Sequence, residues 1–334
     1  MPQLLQVKEL NKSFPIKAGI FKREVGSVKA VNDVSFTLNE GETLGIVGES
    51  GCGKTTLGRT LVRLYEPSSG DIFFKDINFG KLKENELRPF RKHIQMIFQD
   101  PYSSLNPRMS IRKILEEPLA INKIGTIPER AQKVEKLIEM VGLPISCLER
   151  FPHEFSGGQR QRIAIARAIS LDPSLIVADE PVSALDVSIQ SQILNLLASL
   201  QKILGLTLIF ISHDLLVVKY ISDRIAVMYL GYIIELGPAQ QVFENPLHPY
   251  THALLKAIPR IDRKVSQLGS SLEGDLPSPI DLPSGCPFRT RCRFQKPECA
   301  AKRPLLRKIN GSHGHSQQVA CHFAEEINGV NHEV

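Results

Sequence analysis

Three short runs of nearly unbroken apolar residues punctuate the chain: Thr43-Leu-Gly-Ile-Val47, Leu175-Ile-Val-Ala178 and Thr207-Leu-Ile-Phe-Ile211. Runs this short, without alternation, predict strands buried on both faces of a parallel sheet. Helical periodicity falls between and after them. Gln159–Ile169 sets Ile163, Ala166 and Ala168 among arginines. Ile189–Leu204 puts Ile193, Leu196, Leu197 and Leu200 on one face. Alternating strands and helices predict an α/β fold with a sandwiched sheet. Residues 225–236 read as two strands joined near Gly231, and the first 40 residues and 71–79 are also strand-like. These strands are expected to form a smaller antiparallel sheet beside the core. Residues 110–150 read as mostly helical, with charged and apolar positions mixed. Ser266–Gly285, rich in Ser, Pro and Gly, reads as a linker. The polar stretch from about Glu325 reads as a frayed end.

Composition narrows the classes. The 334 residues are 42% hydrophobic and 23% charged, with a net charge of +6, enough for one large domain plus an appendage. Lys and Arg are scattered and tryptophan is absent, so the basic stripe with interleaved aromatics of a nucleic-acid binder is missing. No apolar run reaches the roughly 20 residues of a membrane span, and the first ten residues lack a signal-peptide pattern. The expectation is a cytoplasmic chain whose membrane role comes through a partner. Two of the six cysteines, Cys52 and Cys147, stand alone. The others, Cys286, Cys292, Cys299 and Cys321, crowd the last fifth of the chain, which in a reducing compartment points to metal more than to disulfides.

The strongest chemical signal is Gly48-Glu49-Ser50-Gly51-Cys52-Gly53-Lys54-Thr55, which fits G-x-x-x-x-G-K-S/T. The glycines let the backbone wrap so that successive N–H groups face phosphate oxygens. A helix opening near Lys54 and running through Thr56 adds the positive end of its dipole. Lys54 supplies a point charge for the outer phosphates, and the Thr55 hydroxyl can ligate Mg2+. Cys52 is read as a spacer. The strand before the loop and the helix after it supply the context the motif requires.

The run Leu175–Glu180 ends in two carboxylates. Ligands of open α/β sheets gather at strand C-termini, so both acids are expected to face the nucleotide. Asp179 is the Mg2+ ligand, directly or through water. Glu180 is the general base that orients and deprotonates water. Gln99, in Ile97-Phe-Gln-Asp-Pro-Tyr102, is placed as a sensor of γ-phosphate and Mg2+, and His213, after the third strand, as a donor to the γ-phosphate. Taken alone, Gln99 reads better as an ordinary surface glutamine and His213 as a structural histidine; only the company of the other motifs favours the functional reading. Ser156-Gly157-Gly158-Gln159-Arg160 is a second glycine turn opening a helix. One nucleotide does not need two such turns, so the second is expected to serve ATP held by a partner.

This ordered set, with Ser183-Ala-Leu-Asp186, resembles the ATP-binding subunit of ABC transporters over about residues 4–260. In the family's terms 48–55 is the Walker A loop, 156–159 the signature and 175–180 the Walker B strand. The resemblance implies a P-loop NTPase core, RecA-like, with an antiparallel β subdomain and a helical subdomain at about 100–165. It implies Phe14 as the aromatic stacked on adenine, with Phe21 and Phe36 as alternatives. It also implies a head-to-tail dimer in which Ser156, Gly157, Gly158 and Gln159 touch the partner's ATP. A groove near Gln99 is implied as the place that receives the cytoplasmic coupling helix of the membrane subunits.

A narrower resemblance, to the oligopeptide/dipeptide importer subfamily, is carried by Phe98–Pro107, Asn245–Leu255, Cys286-Pro-Phe-Arg-Thr-Arg-Cys292, Cys299 and Val319-Ala-Cys-His322. Within it the chain is most similar to the second of two non-identical ATPase subunits. The implied partners are the other, homologous ATPase subunit, making a heterodimer, two transmembrane permeases and an extracytoplasmic solute-binding protein. The implied location is peripheral, on the cytoplasmic face of the inner or plasma membrane. Residues 261–285 are then a linker, and 286–324 a cysteine-rich extension. Four thiolates suit Zn2+ or a 4Fe–4S cluster, with plain buried or free thiols as the third reading. The subfamily favours the cluster, in a structural role, because so small a tail gains folding energy from metal. Import of nickel or another small solute is the rival within transport. A soluble ATPase on ribosomes or DNA is the rival outside it, set against a single phosphate loop and no sustained heptads.

Overall fold

In the computed structural model, residues 2–19, 23–258, 274–310 and 316–329 are described. Phe21 and residues 261–273 of the expected linker lie outside them. The strands in chain order are β1 (Gln3–Ala18), β2 (Arg23–Asn39), β3 (Thr43–Val47), β4 (Ser69–Phe74), β5 (Ile77–Asn78), β6 (Ile94–Ile97), β7 (Leu175–Asp179), β8 (Thr207–Ser212), β9 (Arg224–Tyr229), β10 (Tyr232–Pro238), β11 (Arg307–Asn310) and β12 (Ser316–Val319). The three apolar runs are thus β3, β7 and β8, and every residue in them is buried. The chain divides into two units, one of residues 2–4, 38–43 and 81–212, the other of 5–37, 44–80 and 213–329.

In the first unit β6, β7 and β8 run parallel, with Ile97 beside Ala178 and Asp179 beside Ile211. Parallel pairing needs long crossovers, and helices supply them. The helix Val187–Leu204 is one. It starts after Asp186 and stops at Gly205, where φ is 62°. Its fully buried stripe is Ile193, Leu194, Leu197 and Leu200, so Leu194 holds the place expected for Leu196, which is only half-buried. Helices Ile111–Ile121, Ile127–Met140 and Gly157–Ile169 account for the helical region, burying Leu115, Leu119, Val134 and Ile138. Arg162 of the last helix donates to the Val141 carbonyl at 2.8 Å, tying two of these helices together.

In the second unit a four-stranded sheet runs β2-β1-β4-β5, the expected antiparallel piece. The hairpin at 225–236 does not belong to it. β9 instead lies parallel to β3, with Val47 beside Val227, and β10 pairs antiparallel with β9. The hairpin is apolar at nearly every position, which suits a strand covered on both faces rather than one side of a small sheet. β12 then pairs with β10, and β11 with β12.

The C-terminal segment therefore packs through its backbone and its own apolar residues, which the sequence reading did not anticipate. Ile309, Val319 and Ala324 cluster with Leu247, and Phe288 is buried. One carboxylate anchors this junction. The β9–β10 register shifts between Ile233 and Glu235, a bulge that re-aims the side chain. Glu235 is fully buried and accepts from the Leu247 and His248 amides at 2.7 and 2.9 Å and from the Gln317 side chain of β12. Burial pushes its carboxyl up to about 7, against the bonds it accepts. Neighbouring His248 is buried too and held down to about 3, first by loss of water and then by His252.

These two shifts oppose each other. Folding favours protonated Glu235, so its contribution falls as pH rises from 4.5 towards 7. Folding favours neutral His248, so its contribution rises as pH climbs from 3 towards 6.5. Between pH 4.5 and 6.5 they offset one another. Glu235→Gln removes the first alone, so its stability should rise with pH in that window more steeply than wild type, by up to about 1.4 kcal/mol per unit. Urea melts of both proteins across the window measure the difference in slope, and parallel curves would contradict it.

Candidate functional site

The second unit contains the phosphate loop, and its shape is imposed by neighbouring backbone. Gly53 sits at φ 104°, and a Cβ there would lie 2.0 Å from the Ala30 carbonyl oxygen. A Cβ on Gly48 would lie 2.2 Å from the Met228 carbonyl oxygen. Only glycine fits either place. The following helix, Lys54–Leu61, starts directly at the motif lysine. Lys54 is buried and its Nζ donates to the Gly48 and Glu49 carbonyls at 2.7 and 2.9 Å. Cys52 is buried and its N–H bonds the Glu49 carbonyl at 3.3 Å. Burial raises its thiol well above the ordinary range, which suits a spacer and not a nucleophile. Ser50 and Gly51 are exposed at the loop tip, and Thr55 and Thr56 are half-buried on the first helical turn.

Two residues inside the subfamily segments 245–255 and 286–292, to which no role was assigned from sequence, also hold this loop. The Glu49 N–H donates to the Tyr250 hydroxyl at 2.9 Å. The Glu49 carboxylate takes both arms of the Arg291 guanidinium, at 2.7 and 3.0 Å. They stand 201 and 242 residues further along the chain, so no local pattern could point to them.

Of the aromatic candidates, Phe14 lies half-buried on β1, edge-on to Tyr65 at 5.3 Å, with Lys12 Nζ 4.7 Å over its ring. Tyr65 is a neighbour the sequence reading missed. Phe36 is 5% exposed and committed to the core. His213 is exposed, directly after β8.

The first unit holds the acids. Asp179 ends β7 and is fully buried. Glu180 follows at φ 46°, a left-handed conformation costly for a glutamate. Its N–H bonds the Ile211 carbonyl at 3.0 Å, and the Ser183 amide and hydroxyl return to its carbonyl at 3.2 and 3.1 Å. The turn thus fixes where the carboxylate projects. Gln99 Nε2 donates to Glu180 Oε2 at 3.3 Å, so two residues 81 apart in sequence meet.

Ser156 caps the helix Gly157–Ile169. Its Oγ accepts from the Gln159 amide at 3.4 Å, and Gln159 Oε1 accepts from the Ser156 amide at 3.0 Å. This reciprocal box turns the first helical amides outward. Ser156 and Gly157 are exposed, Gly158 and Gln159 half-buried.

Cys292, Cys299 and Cys321 lie near enough to Cys286 to act on its ionisation. Burial pushes the Cys286 thiol up to about 12 and Cys321 up to about 11, and raises Cys292. The Cys286 amide bonds the Cys299 carbonyl at 2.7 Å. Among the described residues no group of three or more His, Cys, Asp or Glu is arranged to hold a metal ion. Likewise none of their helices is long and apolar enough to cross a membrane.

Comparison with known proteins agrees with this geometry. Residues 31–183 match the ABC transporter family, and residues 234–299 match the oligopeptide/dipeptide transporter C-terminal region. The oligopeptide transport ATP-binding protein AppF of Bacillus subtilis is 54% identical over 96% of this chain and 97% of its own length. The dipeptide transport ATP-binding protein DppF of Haemophilus influenzae is 50% identical over 95% and 96%. Among solved structures, the ATP-binding cassette MJ0796, a dimer in a post-hydrolysis state bound to ADP and Pi, is 29% identical with a TM-score of 0.63, covering 71% of this chain and 99% of that one. The chain belongs to the ABC transporter family, with the cassette fold of its P-loop ATPases. Within that family its full-length relatives and its C-terminal match place it with the oligopeptide/dipeptide transport ATP-binding proteins.

Gly53→Ala should be severe. The new methyl meets the Ala30 carbonyl in a conformation that already strains an alanine. The expected cost is about 2–4 kcal/mol. Thermal melts should show it as a lowered midpoint, and an unchanged midpoint would contradict the packing described.

Proposed function

We propose that this chain is the ATP-hydrolysing subunit of an importer of dipeptides or oligopeptides, working from the cytoplasmic face of the membrane. The observation that carries the reading is end-to-end likeness to peptide-transport ATP-binding proteins, combined with a phosphate loop that glycine alone can build. Gly48, Glu49, Ser50, Gly51, Cys52, Gly53, Lys54, Thr55 and Thr56 take the triphosphate. Main-chain amides and Lys54 neutralise its outer oxygens. Thr55, Asp179 and Gln99 would hold Mg2+, which would supply charge neutralisation at the phosphates. Glu180 orients water and accepts its proton as the water oxygen bonds to the γ-phosphorus and the bond from that phosphorus to the ADP oxygen breaks, releasing ADP and phosphate. Gln99, already bonded to that carboxylate, and His213 sense the γ-phosphate. Phe14 stacks on adenine.

The exposed Ser156–Gln159 turn touches ATP on a second, homologous ATPase, and the two chains close head to tail around two nucleotides. That second ATPase is a non-identical subunit. Two transmembrane permeases and an extracytoplasmic binding protein complete the complex. Residues 4–260 form the cassette, 261–285 a linker and 286–324 the extension. For Cys286, Cys292, Cys299 and Cys321 a structural 4Fe–4S cluster is the reading their chemistry favours. Four thiols suit it as a donor set by number and softness, although in this structure they are not arranged around a common metal position.

Two variants test the nucleotide site. Lys54→Ala should lose MgATP binding. Glu180→Gln should bind ATP but turn over at least about 100-fold more slowly, as expected for loss of a general base. Normal turnover by Glu180→Gln would overturn its assignment. Uptake of labelled peptides by the reconstituted transporter tests the substrate class. Iron and sulfide analysis of anaerobically purified protein tests the cluster, and metal-free protein with an ordered tail would refute it.

A further inference from the structure

Glu49 poses a problem for a loop that binds a triphosphate. A carboxylate beside an anionic ligand repels it, and the attraction or repulsion of neighbouring charges is strong where water is scarce. The structure answers with Arg291. Its side chain is only 5% exposed, and both guanidinium arms engage the Glu49 carboxylate, whose own side chain is 27% exposed. This two-point geometry fixes orientation as well as charge.

The arginine is itself held. It lies over the Tyr229 ring, 5.9 Å from its centre. Tyr229, Tyr250 and Phe288 form a buried aromatic cluster, with ring centres 4.8 to 5.4 Å apart. The Tyr250 hydroxyl reaches from that cluster to accept the Glu49 amide at 2.9 Å. Tyr250 is on the helix Pro249–Lys256, and Arg291 on the short turn Arg289–Arg291 that runs into Cys292. Glu49 is thus gripped by backbone and side chain at once, from a helix at the end of the cassette and from a turn in the C-terminal extension.

We infer that Arg291 and Tyr250 are positioning residues for ATP binding: Arg291 neutralises and fixes the Glu49 carboxylate, Tyr250 fixes the Glu49 amide, and together they keep the loop's remaining amides aimed at the triphosphate. The inference rests on reading Gly48–Thr55 as the ATP loop. It makes the C-terminal segment part of the nucleotide site.

The test is equilibrium titration of the purified full-length chain with a fluorescent ATP analogue and Mg2+, alongside thermal melts. Arg291→Gln leaves the carboxylate uncompensated and should weaken binding about tenfold, the size of loss expected when a charge-assisted pair is broken. Removing the carboxylate as well ends the repulsion and leaves the Glu49 amide in place, so Glu49→Gln/Arg291→Gln should recover to within about threefold of wild type, the remaining loss being that of the two-point bond. An arginine with a merely structural role would give no such rescue. Tyr250→Phe keeps the aromatic packing and should weaken binding about threefold, as for one lost neutral hydrogen bond. Wild-type affinity in Arg291→Gln, or a double variant as weak as the single one, overturns the inference. Should Arg291→Gln not fold, Arg291→Lys and Tyr250→Phe decide it. Arg291→Lys retains the charge without the two-point bond and should weaken binding, and wild-type affinity in both variants overturns the inference. Wild-type protein that fails to bind MgATP overturns the reading of the loop and this inference with it. Wild-type binding with unaffected variants overturns the inference alone.

Discussion

Two carbonyl oxygens, those of Ala30 and Met228, set the terms for this molecule. They approach Gly53 and Gly48 so closely that no side chain fits at either end of the phosphate loop. The chain must therefore turn back on its own backbone, and in doing so it presents amides where another loop would present side chains. Amides carry partial positive charge without a flexible stem, so they grip phosphate at little entropic cost. The strand before the loop and the helix after it, β3 and Lys54–Leu61, hold the two ends of that turn.

Much of this was legible in sequence because it is local. A glycine-rich octapeptide, a fully apolar five-residue strand and a paired acid at a strand end are all contiguous. The burial of β3, β7 and β8 follows from their composition alone. The capping box at Ser156 and Gln159 likewise depends on two residues three apart. What escaped was non-local. The hairpin β9–β10 was visible as two strands, but its partner β3 lies some 180 residues earlier, and nothing in the hairpin names it. β6 has only four residues with a polar one among them, too few to display a period. Leu194 rather than Leu196 completes the buried stripe because the two flank the Ile193, Leu197 and Leu200 line on opposite sides, and periodicity alone does not choose between them.

The site divides the same way. Motif residues could be named from spacing. The bond from Gln99 to Glu180 and the strained φ of Glu180 required coordinates. So did the dismissal of Phe36 as an adenine partner, since an apolar ring in a strand reads the same whether it faces the core or a ligand. Arg291 lay within the quoted 286–292 motif, but nothing local tied it to a loop 242 residues earlier.

The tail's attachment to β10 has a further consequence. β12 covers the outer edge of a strand whose residues from Ile233 to Gly237 are all buried, and a bulge within it turns a carboxylate inward. A chain ending before residue 286 would bare that row of backbone donors and acceptors along an apolar ribbon. Such a margin invites pairing with any extended segment that drifts past, including the same ribbon on another molecule. The extension thus also works as a selvedge, keeping the cloth of the sheet from being stitched to its neighbours.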